Sequence, residues 1–293
     1  MLKAGSCMKA AGISFLIIAM AGALAALSCR PETQRKSART TVQVSCLGFD
    51  RNIFPDVSAL PMLRKTFAFT GYWLSPPPGE TTNTWTGQRE LLRTQGFGFL
   101  LLYRGPLERD LRNPTAATEK GAQDSQNALA AAQREGFPAR AIIFVDIEEG
   151  GRLPETYHAY LHAWVAGLTR ARYRAGAYCS GIPVKEEPGS AITTADDIRA
   201  HMGTEDFSYF IYNDACPPSP GCVFPTASPA PADGGAAYAA AWQFAQSPRR
   251  MEFAAHCPPG YHMDGNCYAP GDTAHAWFLD VSSASSPDPS NGR

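Results

Sequence analysis

Between Ala141 and Glu149 the chain reads Ala-Ile-Ile-Phe-Val-Asp-Ile-Glu-Glu and is closed by Gly150 and Gly151. An unbroken run of β-branched and aromatic residues bounded by glycines predicts a fully buried strand. The run ends in three carboxylates, Asp146, Glu148 and Glu149. Side chains alternate across a strand, so Asp146 and Glu148 share one face while Ile147 and Glu149 take the other. Each charge raises the pKa of its neighbour and burial raises both, so one carboxyl of such a pair stays protonated near neutrality. That is the equipment of glycoside hydrolysis, in which one carboxyl protonates the leaving oxygen and another stabilises or attacks the sugar. The competing reading is an acidic N-terminus for the helix that starts near Pro154.

The same alternation of buried strand and amphipathic helix runs through most of the chain. Strands are predicted at Cys46–Asp50, Phe67–Leu74, Phe97–Tyr103, Ala175–Ser180, Phe207–Tyr212, Ala239–Phe244 and His275–Asp280, with the acid-bearing strand fourth. Helices are predicted at Val57–Lys65, Thr86–Gln95, Thr118–Glu135, Pro154–Tyr173 and Thr193–Met202. Eight strands with helices between the first six predict an α/β fold, a (β/α)8 TIM-type barrel. The last two crossovers read as irregular, since no helix pattern lies between Ser247 and Asp272. Active sites of such barrels lie at the C-terminal strand ends. Those ends carry Asp50, Trp73, Tyr103, Asp146 with Glu148, Tyr178, Gln243 and Asp280. Acids beside rings are the composition of a sugar site, the rings stacking on pyranose faces and the acids serving hydroxyls and the glycosidic oxygen.

The first residues read differently. Lys3 and Lys9 give a positive segment, and Ala10 to Ser28 is an apolar and small-residue run. Residues 1–29 therefore read as an export signal, with Ala26-Leu27-Ser28-Cys29 resembling a lipoprotein site that would acylate Cys29. Cleavage after Ala25 and an uncleaved anchor are the alternatives. Residues 30–43 form a polar linker, 44–283 the barrel, and 284–293 a polar tail expected to be disordered. Export to an oxidising compartment predicts disulfides among Cys46, Cys179, Cys216, Cys222, Cys257 and Cys267. Proximity favours Cys216 with Cys222 and Cys257 with Cys267, leaving Cys46 with Cys179. A zinc site using His256 and His262 has no CxxC pair to support it. Nothing in the sequence requires a metal or an organic cofactor. The net charge of -1 argues against nucleic acid as a partner, which demands a Lys/Arg excess.

The motifs Gly48-Phe49-Asp50, Asp146-Ile147-Glu148, Ala177-Tyr178-Cys179-Ser180, Trp242-Gln243-Phe244 and Leu279-Asp280-Val281 occur in the order seen in the family 25 lysozymes. Those muramidases are β/α barrels. The chain resembles still more a bacterial glycoside-hydrolase-like domain related to them, over roughly Val44 to Ser283. The resemblance implies Glu148 as proton donor and Asp146 as the acid that stabilises the oxocarbenium ion or orients an acetamido group. It implies Asp50 and Asp280 as supporting rim acids, with Tyr178, Trp242 and Gln243 lining subsites. Arg51-Asn52 after Asp50 and the extra acid Glu149 depart from the lysozyme pattern.

Each assignment has a plainer competitor. Asp50 is also placed to cap a helix, Trp242 to fill a core, and Cys179 to sit in a disulfide rather than act as a nucleophile. His158 and His162 share a helix face with no acid motif joining them. The leading expectation is an exported, lipid-anchored or secreted glycoside hydrolase of the cell envelope, acting on peptidoglycan or a related glycan. A glycan-binding barrel without activity and a structural envelope lipoprotein are the other two readings.

Overall fold

The computed structural model describes residues 45–187, 189–203, 206–213, 227–245 and 279–293. Eight strands close a barrel: β1 (Cys46–Asp50), β2 (Phe69–Trp73), β3 (Gly98–Arg104), β4 (Ile142–Asp146), β5 (Arg174–Ser180), β8 (Phe207–Tyr212), β9 (Ala241–Ala245) and β10 (Asp280–Ala284). A small antiparallel hairpin, β6 (Val184–Glu186) with β7 (Ser190–Ile192), stands apart from the barrel sheet. Helices α1 (Leu60–Thr66), α2 (Arg89–Thr94), α3 (Pro114–Arg134), α4 (Glu155–Arg170) and α5 (Thr194–Met202) complete the α/β barrel that the strand and helix alternation predicts.

Neighbouring strands from β1 round to β9 are parallel. The closing strand is not. β10 runs antiparallel to both β9 and β1. The sequence places the eighth strand at His275–Asp280, ending on Asp280; in the structure Asp280 instead opens β10. It still reaches the expected rim, because the reversed strand pairs Asp280 with Asp50 in register.

Strand alternation divides the side chains into two sets. Outward-facing Phe49, Tyr72 and Phe99 are buried under the helices, with Phe49 edge-on to Phe67 at 5.2 Å and Tyr72 to Phe137 at 5.1 Å. The inward set fills the barrel, Phe144 meeting Phe210 at 6.2 Å. Two inward glycines make that filling possible. A Cβ on Gly176 would lie 2.6 Å from the Phe144 ring, and one on Gly71 would overlap the Cβ of Asp50. Gly71 thus leaves the space that Asp50 occupies.

The helices follow ordinary local chemistry. Asn113 caps α3 by accepting from Ala116 N at 2.9 Å, with Pro114 at the first helical position. α4 buries Tyr157, Tyr160, Leu161, Trp164 and Leu168, a single stripe at helical spacing. No helix among the described residues is long and apolar enough to cross a membrane.

Two expectations are corrected. The polar tail is ordered along the barrel wall. β4 pairs with β3 only from Leu101 and Ile143 onward, which leaves the first residues of β3 with a free edge. Residues 285–293 fill it. Phe99 N donates to Asp288 Oδ1 at 2.9 Å, Leu101 N to Ser290 Oγ at 2.8 Å and Ile142 N to the Ser290 carbonyl at 2.8 Å. Short polar side chains read as disorder by composition, yet here they satisfy backbone groups that burial would otherwise orphan. Secondly, Cys46 and Cys179 are both free thiols. β1 and β5 lie four strands apart in either direction round the barrel, far beyond the Cα separation a disulfide allows. Cys29, Cys216, Cys222, Cys257 and Cys267, the export signal and the linker lie outside the described residues.

Candidate active site

The inward positions at the C-terminal strand ends converge on one rim. β1 contributes Asp50, β2 Trp73, β3 Arg104, β4 Asp146 with Glu148 beyond it, β5 Tyr178 and β8 Tyr212, while β9 contributes Gln243 and the antiparallel β10 its first residue, Asp280. Hydrogen bonds tie several together. The Tyr178 hydroxyl donates to Gln243 Oε1 at 2.8 Å, and Gln243 Nε2 donates to Asp50 Oδ2 at 3.3 Å. The amide of Gln243 thereby has both ends assigned, and it holds Tyr178 and Asp50 in fixed register. Tyr178 is packed against Phe210 at 4.9 Å and Tyr212 at 6.4 Å.

The acids also act on one another through charge. Burial, with the Asp280 charge adding, pushes the carboxyl of Asp50 well above its ordinary range, against the Gln243 hydrogen bond. Burial likewise pushes Asp146 well up, with Glu148 and Asp50 adding and Arg104 opposing. Asp146 is 4% exposed, and its Oδ1 has no hydrogen-bond partner among the described residues. Glu148 is raised too, through partial desolvation of its carboxyl and the Glu149 charge, again opposed by Arg104. Unlike Asp146, Glu148 is exposed. The arrangement is a buried carboxyl that favours its proton beside an accessible one whose affinity for a proton is enhanced.

Glu149 faces away, as strand alternation requires. Its Oε1 accepts from Glu108 N at 2.6 Å and its Oε2 from the Tyr157 hydroxyl at 2.8 Å, so it anchors the loop after β3. Thr194 Oγ1 donates to the Glu149 carbonyl at 3.1 Å, which ties α5 to the same segment.

Two residues expected on the rim are elsewhere. Tyr103 points outward, donating to Asp124 Oδ1 at 3.2 Å and packing on Trp164 at 5.4 Å within the helix layer. Trp242, also outward, donates Nε1–H to the Asn213 carbonyl at 2.8 Å and packs beside Phe244 at 5.6 Å. In each case the inward residue is the next in sequence, Arg104 and Gln243. From the sequence Tyr103-Arg104 reads equally as a carboxylate binder or a plain strand end, and Tyr212 is given no role; counting alternation from Gly71 across to Leu102, and from Phe210, puts Arg104 and Tyr212 on the rim. Trp73 is inward and 5% exposed, with Nε1 unpartnered among the described residues.

Among the described residues, one group outside the rim has donor atoms close enough for a metal: His158, Asp197 and His201, within 4.8 Å of one another. Its geometry suits a charge clamp better. The imidazoles stack at 3.6 Å and 17°, so their in-plane lone pairs run nearly parallel instead of converging. Asp197 is already engaged by Leu153 N at 3.0 Å, His158 Nε2 at 2.8 Å and Arg152 Nη1 at 3.3 Å. His158, with Nε2 on Asp197, is a satisfied histidine of the helix layer.

The buried acids give a stability prediction. A carboxyl whose folded pKa is raised contributes stability that is full below its unfolded value, about 3.9. That contribution is lost as pH rises through the folded value. Asp146→Asn keeps the neutral shape and cannot ionise. Chemical denaturation should show it more stable than the wild type at pH 8, by on the order of 1–2 kcal/mol, with the gain absent at pH 3. An equal or lower stability at pH 8 would mean that the carboxylate is accommodated without cost.

Residues 72–213 match the Rv2525c-like, glycoside hydrolase-like domain. No curated protein sequence matches the chain. Among solved structures, an uncharacterized B. stearothermophilus protein is similar, with 19% identity, a TM-score of 0.51, and coverage of 82% of this chain and 95% of that one. The Tat-secreted protein Rv2525c of Mycobacterium tuberculosis aligns at 14% identity and TM-score 0.49, over 82% of this chain and 94% of its own. The catalytic domain of endolysin ply40 from bacteriophage P40 of Listeria monocytogenes aligns at 12% identity and TM-score 0.45, over 83% and 94%. Identities this low speak to the barrel and not to its chemistry. The matched segment, Tyr72 to Asn213, carries Arg104, the Asp146–Glu148 pair and Tyr178, and in it the chain is similar to the Rv2525c-like, glycoside hydrolase-like domain.

Proposed function

We propose that the protein is an exported glycoside hydrolase acting on cell-wall or related glycans. The observation that carries this reading is the pairing of exposed Glu148 with buried Asp146 on one inward face, beside Asp50, Tyr178 and Gln243. Glu148 serves as general acid: it is accessible, its proton affinity is raised, and it stands at the end of the strand where substrate arrives. Asp146 supports charge at the reacting sugar or orients its substituent. Asp50, held through Gln243 to Tyr178, and Asp280 complete the polar rim, while Trp73, Tyr178 and Tyr212 offer rings for stacking. The glycoside hydrolase-like description of the matched family agrees with this assignment. Lys3, Lys9 and the run from Ala10 to Ser28 support export, with Cys29 as a lipid attachment point.

The test is incubation of the protein with peptidoglycan and with N-acetylated oligosaccharides, followed by measurement of new reducing ends. Release of reducing ends from at least one glycan is expected. Saturable binding with no release would leave a glycan-binding barrel in its place.

A further inference from the structure

Arg104 is an unusual neighbour for a proton donor. It ends β3 and is the register partner of Asp146. It shares a strand face with Leu102, whose side chain lies against Gly71 inside the barrel, so its guanidinium is directed to the rim. Its own N–H is fixed by Ser75 Oγ at 2.8 Å, and the next residue, Gly105, donates to the Asp146 carbonyl at 3.1 Å. The backbone is thus held from both sides. The side chain is exposed, and among the described residues it forms no ion pair.

A cation here opposes what the acids need. It favours the ionised forms of Asp146 and Glu148, whereas general acid catalysis requires a proton on the accessible carboxyl. Nor is it needed to neutralise the deep acids, which burial already disposes to hold their protons. An exposed guanidinium at the rim that makes no ion pair among the described residues, and whose charge works against the acid, is accounted for when the ligand itself brings an anion.

We propose that Arg104 is a specificity-determining residue and that the rim takes a glycan bearing a carboxylate on the sugar or on its substituent. The planar fork of arginine suits bidentate recognition of that group. This inference rests on the rim being a glycan site, and its test separates it from the hydrolytic assignment. Two probes are used with the full chain: peptide-free peptidoglycan strands with free lactyl carboxylates, and the same strands converted to the methyl amide. Calorimetry gives affinity and reducing ends give rate, for wild type, Arg104→Gln and Arg104→Lys.

The wild type should prefer the carboxylated strands by about 10- to 100-fold, the range of a hydrogen bond to a charged group. Arg104→Gln should abolish the preference and Arg104→Lys should restore part of it. Any effect passing through Glu148 alters both probes alike, so the ratio between them reads recognition alone. Preference without cleavage would sustain the inference and remove the hydrolase. Cleavage without preference, an undiminished preference in Arg104→Gln, or binding of neither probe would overturn the inference.

Discussion

Glu148→Gln should lower the release of reducing ends from cell-wall glycan by roughly 10²–10⁴-fold, the usual contribution of a positioned general acid. Affinity for the glycan should change only a few-fold, because glutamine keeps the shape and loses only the proton. That pattern, with turnover falling and binding kept, marks an interaction made in the transition state. The pH profile adds a second reading. In the proposed role of general acid Glu148 must be protonated, and its carboxyl is raised by partial desolvation and by Glu149 while Arg104 holds it down. Removing the cation in Arg104→Gln therefore raises the donor further and should move the alkaline limb of the profile to higher pH. A limb that stays in place in that variant would mean another group supplies the proton.

Deletion of residues 285–293 should cost on the order of 3–6 kcal/mol. The tail gives partners to Phe99 N, Leu101 N and Ile142 N, and each buried backbone group left unpaired costs about 1–3 kcal/mol. Ser290→Ala isolates one of these bonds, that to Leu101 N, and should cost about 1–2 kcal/mol. Thermal unfolding checks both. In a domain of this size each kcal/mol shifts Tm by roughly 2–4 °C, so the deletion should lower it by about 6 °C or more. A truncated protein that melts with the intact one would show the edge of β3 satisfied without the tail.

What the sequence discloses about the site depends on phase. The run ending in Asp146 and Glu148 places both acids inward because a strand repeats every two residues, and Asp50 and Gln243 follow from the same rule. Tyr103 and Trp242 are each one residue out of step. Selecting strand-end aromatics by type overlooks that the inward set at those ends is Arg104 and Gln243, and a shift of one residue exchanges barrel interior for helix layer. The reversed direction of β10 has no signature in its own residues. Strand direction is set by the connection, and the pairing of Asp280 with Asp50 emerges only when the barrel closes. The tail was illegible for a different reason. Its polar residues stabilise by satisfying backbone groups of β3 and β4, a tertiary role that composition does not encode.

In the proposed function, water cleaves a glycosidic bond at the rim with Glu148 as the acid. That claim is tested most directly by digesting cell-wall glycan with the protein in water enriched in heavy oxygen, then reading fragment masses. Hydrolysis should place one heavy oxygen on each new reducing end, and the label should be absent when Glu148→Gln replaces the wild type. Glycan that binds but stays intact and unlabelled on prolonged incubation would contradict the claim and leave a barrel that recognises sugar without cutting it.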